Sequence, residues 1–116
     1  MTSKFVNEEG TVRVRDSVIA QIASEAAMSS YGIVGLAFRN AKDGILTLLK
    51  KDNMSKGVRI ESCDEGVTIH LDVVLEYGVR IGVVGENIID TVKYRVEKLT
   101  GLKVLCINVY VQGIRV

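Results

Sequence analysis

The clearest periodicity in the chain lies in residues 66–113. Val67, Ile69, Leu71, Val73, Leu75 and Tyr77 alternate with Thr68, His70, Asp72, Val74 and Glu76. A period of two marks a strand with one buried face. Gly78 ends it. Ile81, Val84, Ile88, Val92, Val96 and Leu99 then recur at steps of three and four, which predicts an amphipathic helix of about five turns. Glu86 and Asp90 lie towards its start and Lys93, Arg95 and Lys98 towards its end, the order that the helix dipole favours. Thr100-Gly101 closes the helix, with Gly101 in the left-handed position past its end. The chain then re-enters a strand, with Ile107, Val109 and Val111 on one face and Asn108, Tyr110 and Gln112 on the other. This strand–helix–strand segment is expected to seed the core.

The first half repeats the theme more weakly. Residues 1–9 are polar, although Lys4-Phe5-Val6 suits pairing at a sheet edge. Residues 11–14 read as a short strand, and Asp16 or Ser17 as the N-cap of a helix. Val18, Ile19, Ile22, Ala23 and Ala26 give that helix an apolar face, and Ser29-Ser30 stops it. Residues 33–38 are almost continuously apolar, which predicts a buried strand. Residues 40–57 are the most surface-like, with a short helix expected over 43–51 and turns at Asp52-Asn53 and Lys56-Gly57. Val58 and Ile60 alternate with Arg59 and Glu61, and Asp64-Glu65-Gly66 turns this strand into the long one as a hairpin. The order β-α-β-α-β-β-α-β predicts an α+β fold. It is a two-layer sandwich with a mixed sheet and helices on one face, a single domain over residues 1–116.

Composition narrows the function classes. Apolar residues make up 47% and charged residues 25%, and the net charge is +1. No global field therefore points to nucleic acid or a membrane surface. No apolar run approaches the ~18 residues of a membrane span, and no signal-peptide pattern follows Met1, so a cytoplasmic protein is expected. Cys63 and Cys106 lie far apart without a CxxC pair and read as two reduced thiols.

His70 is the single histidine, so any Ser-His-Asp or Cys-His site must include it. If the two long strands are neighbours, His70, Asp72, Asn108 and Tyr110 converge on one sheet face. An open sheet face is a poor pocket, so these residues read as solvated or interface-facing. No catalytic, cofactor or metal site is assigned. Ile81-Gly82-Val83-Val84-Gly85 resembles the I-G-x-x-G loop of KH RNA-binding domains. Its middle residues are valines, which offer phosphates nothing. The plainer reading is that the glycines let the helix start pack close to the sheet. Arg39, Lys42, Lys50, Lys51, Lys56 and Arg59 stand against Asp43 and Asp52, a local excess of four (six cations less two anions). This is a solvated face, or it meets an acidic partner, anionic lipid or nucleic acid. No aromatic interleaves with the cations, as single-strand binding would require. In a nucleic-acid reading Gly82, Gly85, Lys50 and Lys51 would make the contacts.

Several ordered segments carry a resemblance. They are Gly10-Thr11-Val12-Arg13-Val14, Tyr31-Gly32-Ile33-Val34-Gly35-Leu36, Lys56-Gly57-Val58, Leu75-Glu76-Tyr77-Gly78-Val79-Arg80-Ile81 and Thr100-Gly101-Leu102-Lys103-Val104. Ile107-Asn108-Val109-Tyr110-Val111-Gln112-Gly113-Ile114 completes the set. Together they resemble the alkaline shock protein family (Gls24 type), in particular its small soluble members from Gram-positive bacteria; Gly82 and Gly85 depart from its pattern. The resemblance implies a cytoplasmic, non-enzymatic protein linked to envelope or alkaline stress. It implies as partner either a membrane-anchored protein or a fatty-acid-kinase-like enzyme. The residues themselves point to an interaction module that self-associates or docks on a protein. The uncovered sheet face would show Thr68, His70, Val74, Asn108, Tyr110 and Gln112. Tyr110 is the expected aromatic anchor, and the last strand is long and little guarded at its edge.

Overall fold

The alternation in the long strand is realised in the computed structural model, which describes residues 2–7, 9–39, 46–48 and 55–116. Val67, Ile69, Leu71, Val73 and Leu75 are all fully buried. They lie on β6 (Gly66–Glu76), the strand that every other part of the main sheet is built against. Burying each such side chain contributes about 2 kcal/mol. The remaining elements are β1 (Thr2–Asn7), β2 (Gly10–Arg15), α1 (Asp16–Met28), β3 (Ile33–Arg39), β4 (Leu46–Leu48), β5 (Val58–Cys63), α2 (Ile81–Thr100) and β7 (Val104–Arg115).

The main sheet has five strands and is mixed. β5 pairs antiparallel with β6 from Gly66 to Leu71, and β3 pairs antiparallel with it from Val73 to Leu75. β7 runs parallel to β6 from Val67 to Glu76. A strand has two hydrogen-bonding edges, so β5 and β3 share one edge of β6 end to end and β7 takes the other. Both helices lie on one face. Ile19, Ala23, Ala26 and Ala27 of α1 and Val84, Ile88, Val92 and Val96 of α2 join the buried β6 residues in one core. The alanines of α1 keep its backbone close to the sheet.

β7 carries two bulges. Val67 and Thr68 face Val104 and Cys106, which leaves Leu105 over; Val73 and Val74 face Val111 and Gly113, which leaves Gln112 over. Residues 106–111 between them stay in regular register. The start of β7 crowds Gly66: Val67 N–H donates to Lys103 O at 2.9 Å. A Cβ on Gly66 would sit 2.3 Å from that same oxygen, so only glycine fits there. Gly101 adopts the left-handed conformation (φ 75°) and its N–H donates to Glu97 O, the C-terminal stop expected of Thr100-Gly101.

Several expectations are corrected. The helix expected over 43–51 is contradicted where the chain is described: Leu46–Leu48 is a strand paired with β3, and the flanking residues lie outside those described. Leu46-Thr47-Leu48 satisfies a period of two as well as a helical one, and pairing with β3 decides between them. Arg15, not Asp16 or Ser17, is the N-cap of α1, and it makes no side-chain cap bond. Asp16 lies in the first helical turn and accepts a hydrogen bond from Ser62 Oγ at 3.0 Å. β2 pairs with β1 in a separate two-stranded sheet, so the first strand–helix–strand is not a unit of the main sheet. Ile81 and Leu99, at the two ends of the helical stripe, are exposed, as are Val18 and Tyr77.

Candidate functional site

The second phase of three neighbouring strands builds one surface. On β5, Arg59 and Glu61 are exposed while Val58 is buried. On β6 the same phase presents Thr68, His70 and Asp72, and on β7 it presents Cys106, Asn108 and Tyr110. Register aligns Arg59, His70 and Asn108 in one row across the sheet, with Asp72 opposite Tyr110 in the next. Directly opposed and diagonal residues on one face are within side-chain reach. Among the described residues no helix packs on this face.

His70 is the hub. Asn108 Nδ2 and Tyr110 Oη each lie 3.3 Å from its Nδ1. With the amide nitrogen donating, Nδ1 accepts, and the proton of the neutral ring sits on Nε2. One ring lone pair cannot serve two donors equally, so Asn108 and Tyr110 compete for it. Nε2 is shielded from solvent and lies 3.3 Å from Glu61 Oε1, without hydrogen-bond alignment. The Tyr110 ring stacks beside the imidazole with centroids 6.0 Å apart and planes at 20°. Arg59 Cζ lies 5.4 Å from the centroid of the same tyrosine ring, a cation–π contact. Asp72 is held from two sides: Gln112 Nε2 donates to Oδ1 at 2.8 Å, and Arg59 lies 3.6 Å from Oδ2. The bulge at Gln112 fits this contact, because the following Gly113 adds no side chain to the same face.

His70, Asn108, Tyr110 and Gln112 therefore come together, joined by Arg59, Glu61 and Asp72. Accessibility differs from expectation. The side chain of His70 is only 15% exposed, because Tyr110 and Glu61 enclose it. Tyr110 is 42% exposed, and Val74 is buried rather than part of the surface. Cys106 Sγ lies 3.6 Å from Asn108 Oδ1, and both cysteines are free and exposed. Among the described residues no cluster of three or more His, Cys, Asp or Glu is placed to hold a metal ion.

The glycine segment behaves differently from both readings given to it. Gly82 and Gly85 lie in the first two turns of α2, not in a loop. A Cβ on either would meet nothing within 4 Å, so neither glycine serves close packing. Lys50 and Lys51 lie outside the described residues.

Sequence reasoning missed a cleft of about 410 Å³ beside this helix start, lined by Tyr31, Tyr77, Arg80, Val83 and Asn87 among others. A signal was present: both tyrosines precede a glycine, and Gly32 and Gly78 adopt positive φ of 86° and 90°. Glu76 N–H donates to Gly32 O at 2.9 Å and ties the two turns together. A smaller cleft of about 270 Å³ lies between Asp16, Ser17 and Ala20 of α1 and Lys56, Val58 and Ile60.

Comparison with known proteins gives a consistent picture. Residues 4–116 match the model of the alkaline shock protein 23 family, described as having a cell envelope-related function. The chain is similar to the uncharacterized protein YloU of Bacillus subtilis, at 40% identity over 100% of this chain and 98% of the relative. It is 39% identical to the uncharacterized protein Spy1614 of Streptococcus pyogenes, over 100% of this chain and 97% of that protein. A stress response regulator gls24 homolog of Streptococcus pyogenes is 29% identical over 91% of this chain and 59% of its own length. No solved structure matches. Among the described residues no helix is long and apolar enough to cross a membrane.

Proposed function

The chain belongs to the alkaline shock protein 23 family, a family with a cell envelope-related function, and from that premise we propose that it is a non-enzymatic, cytoplasmic interaction module. It docks a protein partner on the helix-free face of its sheet. The observation that carries this reading is Tyr110. Its ring is held from two sides by His70 and Arg59 and remains 42% exposed. A tyrosine fixed in this way presents a large contact area with little rotamer entropy left to lose on binding. The surrounding Asn108, Gln112, Asp72 and Glu61 form a polar rim of the kind that excludes water around an anchor. The family resemblance makes a membrane-anchored protein or a fatty-acid-kinase-like enzyme the candidate partner, and the similarity to stress response regulators supports a role in envelope stress.

The test is crosslinked capture from the native cell, read by mass spectrometry, with wild-type protein, Tyr110→Glu and Lys93→Glu. Lys93 is exposed on the helix layer and serves as control. Tyr110→Glu is expected to fold normally and to lose a partner that Lys93→Glu retains. Equal recovery of every protein by all three would overturn the reading.

A further inference from the structure

β7 pairs with β6 along one edge, and among the described residues no strand lies along its other edge. An unpaired edge is a row of backbone donors and acceptors that templates another strand unless it is guarded. The guards on β7 sit at its ends, where Leu105 and Gln112 are bulged and Lys103 and Arg115 are charged. Residues 106–111 between them hold regular register and contain no proline and no charge. This leaves about 20 Å of flat edge.

We infer that β7 pairs antiparallel with β7 of a second copy of this chain, about a two-fold axis midway between Asn108 and its own copy. Symmetry and charge select this occupant and this register. A two-fold axis perpendicular to the sheet returns each face onto itself, so opposed residues must lie on the same face. The axis therefore lies between a residue and its own copy, not between two successive residues. Centred on Asn108, that residue meets Asn108 of the second copy, and an amide is both donor and acceptor. Cys106 meets Tyr110 of the second copy, a sulfur–aromatic pair. Ile107 meets Val109 on the helix face, and Lys103 falls opposite Gly113. Moving the axis to Val109 would set Lys103 opposite Arg115, and like charges opposed across strands are destabilising. Moving it to Ile107 would set the Leu105 bulge opposite Val109, two residues from the axis, instead of at the margin of the paired run opposite Val111. The inference uses the strand edge, so it stands or falls separately from partner docking on the face.

Sedimentation velocity up to hundreds of micromolar tests it. Wild-type protein is expected to show a monomer–dimer equilibrium, and Asn108→Lys, which opposes two cations at the axis, to remain monomeric with an unchanged circular dichroism spectrum. Disulfide trapping keeps the test decisive if Asn108→Lys unfolds. In a Cys63→Ser, Cys106→Ser background, Asn108→Cys should crosslink on mild oxidation, because opposed Cα atoms lie about 5 Å apart. Cys63→Ser alone should not, because the two Cys106 residues would sit about 13 Å apart along the strands. A strictly monomeric wild type, a folded Asn108→Lys that still dimerises, or a dimer that Asn108→Cys does not trap would each overturn the inference.

Discussion

Val92 and Lys93 are adjacent in α2 and face opposite environments: Val92 is fully buried and Lys93 exposed. Val92→Asp places an unpaired carboxylate in the core, at a cost of several kcal/mol, enough to unfold a domain of ordinary stability. Lys93→Asp should change the melting temperature little, and thermal melts of the two variants check the pair. At this scale the sequence was informative wherever burial followed period. The five β6 positions and Val84, Ile88, Val92 and Val96 were all legible. The shielding of His70 was not, because it depends on a tyrosine ring reaching over from the neighbouring strand. That contact lies diagonal to the pairing, at Tyr110 rather than at the opposed Asn108.

α2 carries Gly82 and Gly85 at positions where a methyl group meets no neighbour. Neither adopts a positive φ. Glycine costs about 1 kcal/mol relative to alanine inside a helix, so Gly82→Ala and Gly85→Ala should each stabilise the protein and together raise its melting temperature by several degrees. An unchanged or lower temperature would mean that the helix does not begin at Ile81 in solution. Element type was legible in long periodic segments and at the Gly101 stop. It was not legible in residues 46–48, where three residues fit either period and a tertiary partner chose. The aromatic cleft was missed for a related reason. Its tyrosines come from two turns 46 residues apart (31 and 77), joined only when β3 and β6 pair.

The whole molecule is organised around a strand with no free edge and one face under helices. The parallel relation of β6 and β7 was foreshadowed by the helix between them, since parallel neighbours need a crossover. That β5 and β3 would share one edge of β6, and that β1 and β2 would form a separate ribbon, follow from pairings that no local pattern encodes. The enclosure of β6 has a consequence in time. Its amide protons can meet solvent only when β7 leaves one side or β5 and β3 leave the other, and both events dismantle the core. Hydrogen–deuterium exchange should therefore find the slowest amides in residues 67–75, opening with a free energy close to that of global unfolding, while the β1–β2 ribbon exchanges orders of magnitude faster. Faster exchange in β6 than in α2 would show that the sheet opens before the helices let go. The clock of the molecule, on this account, is set by its central strand.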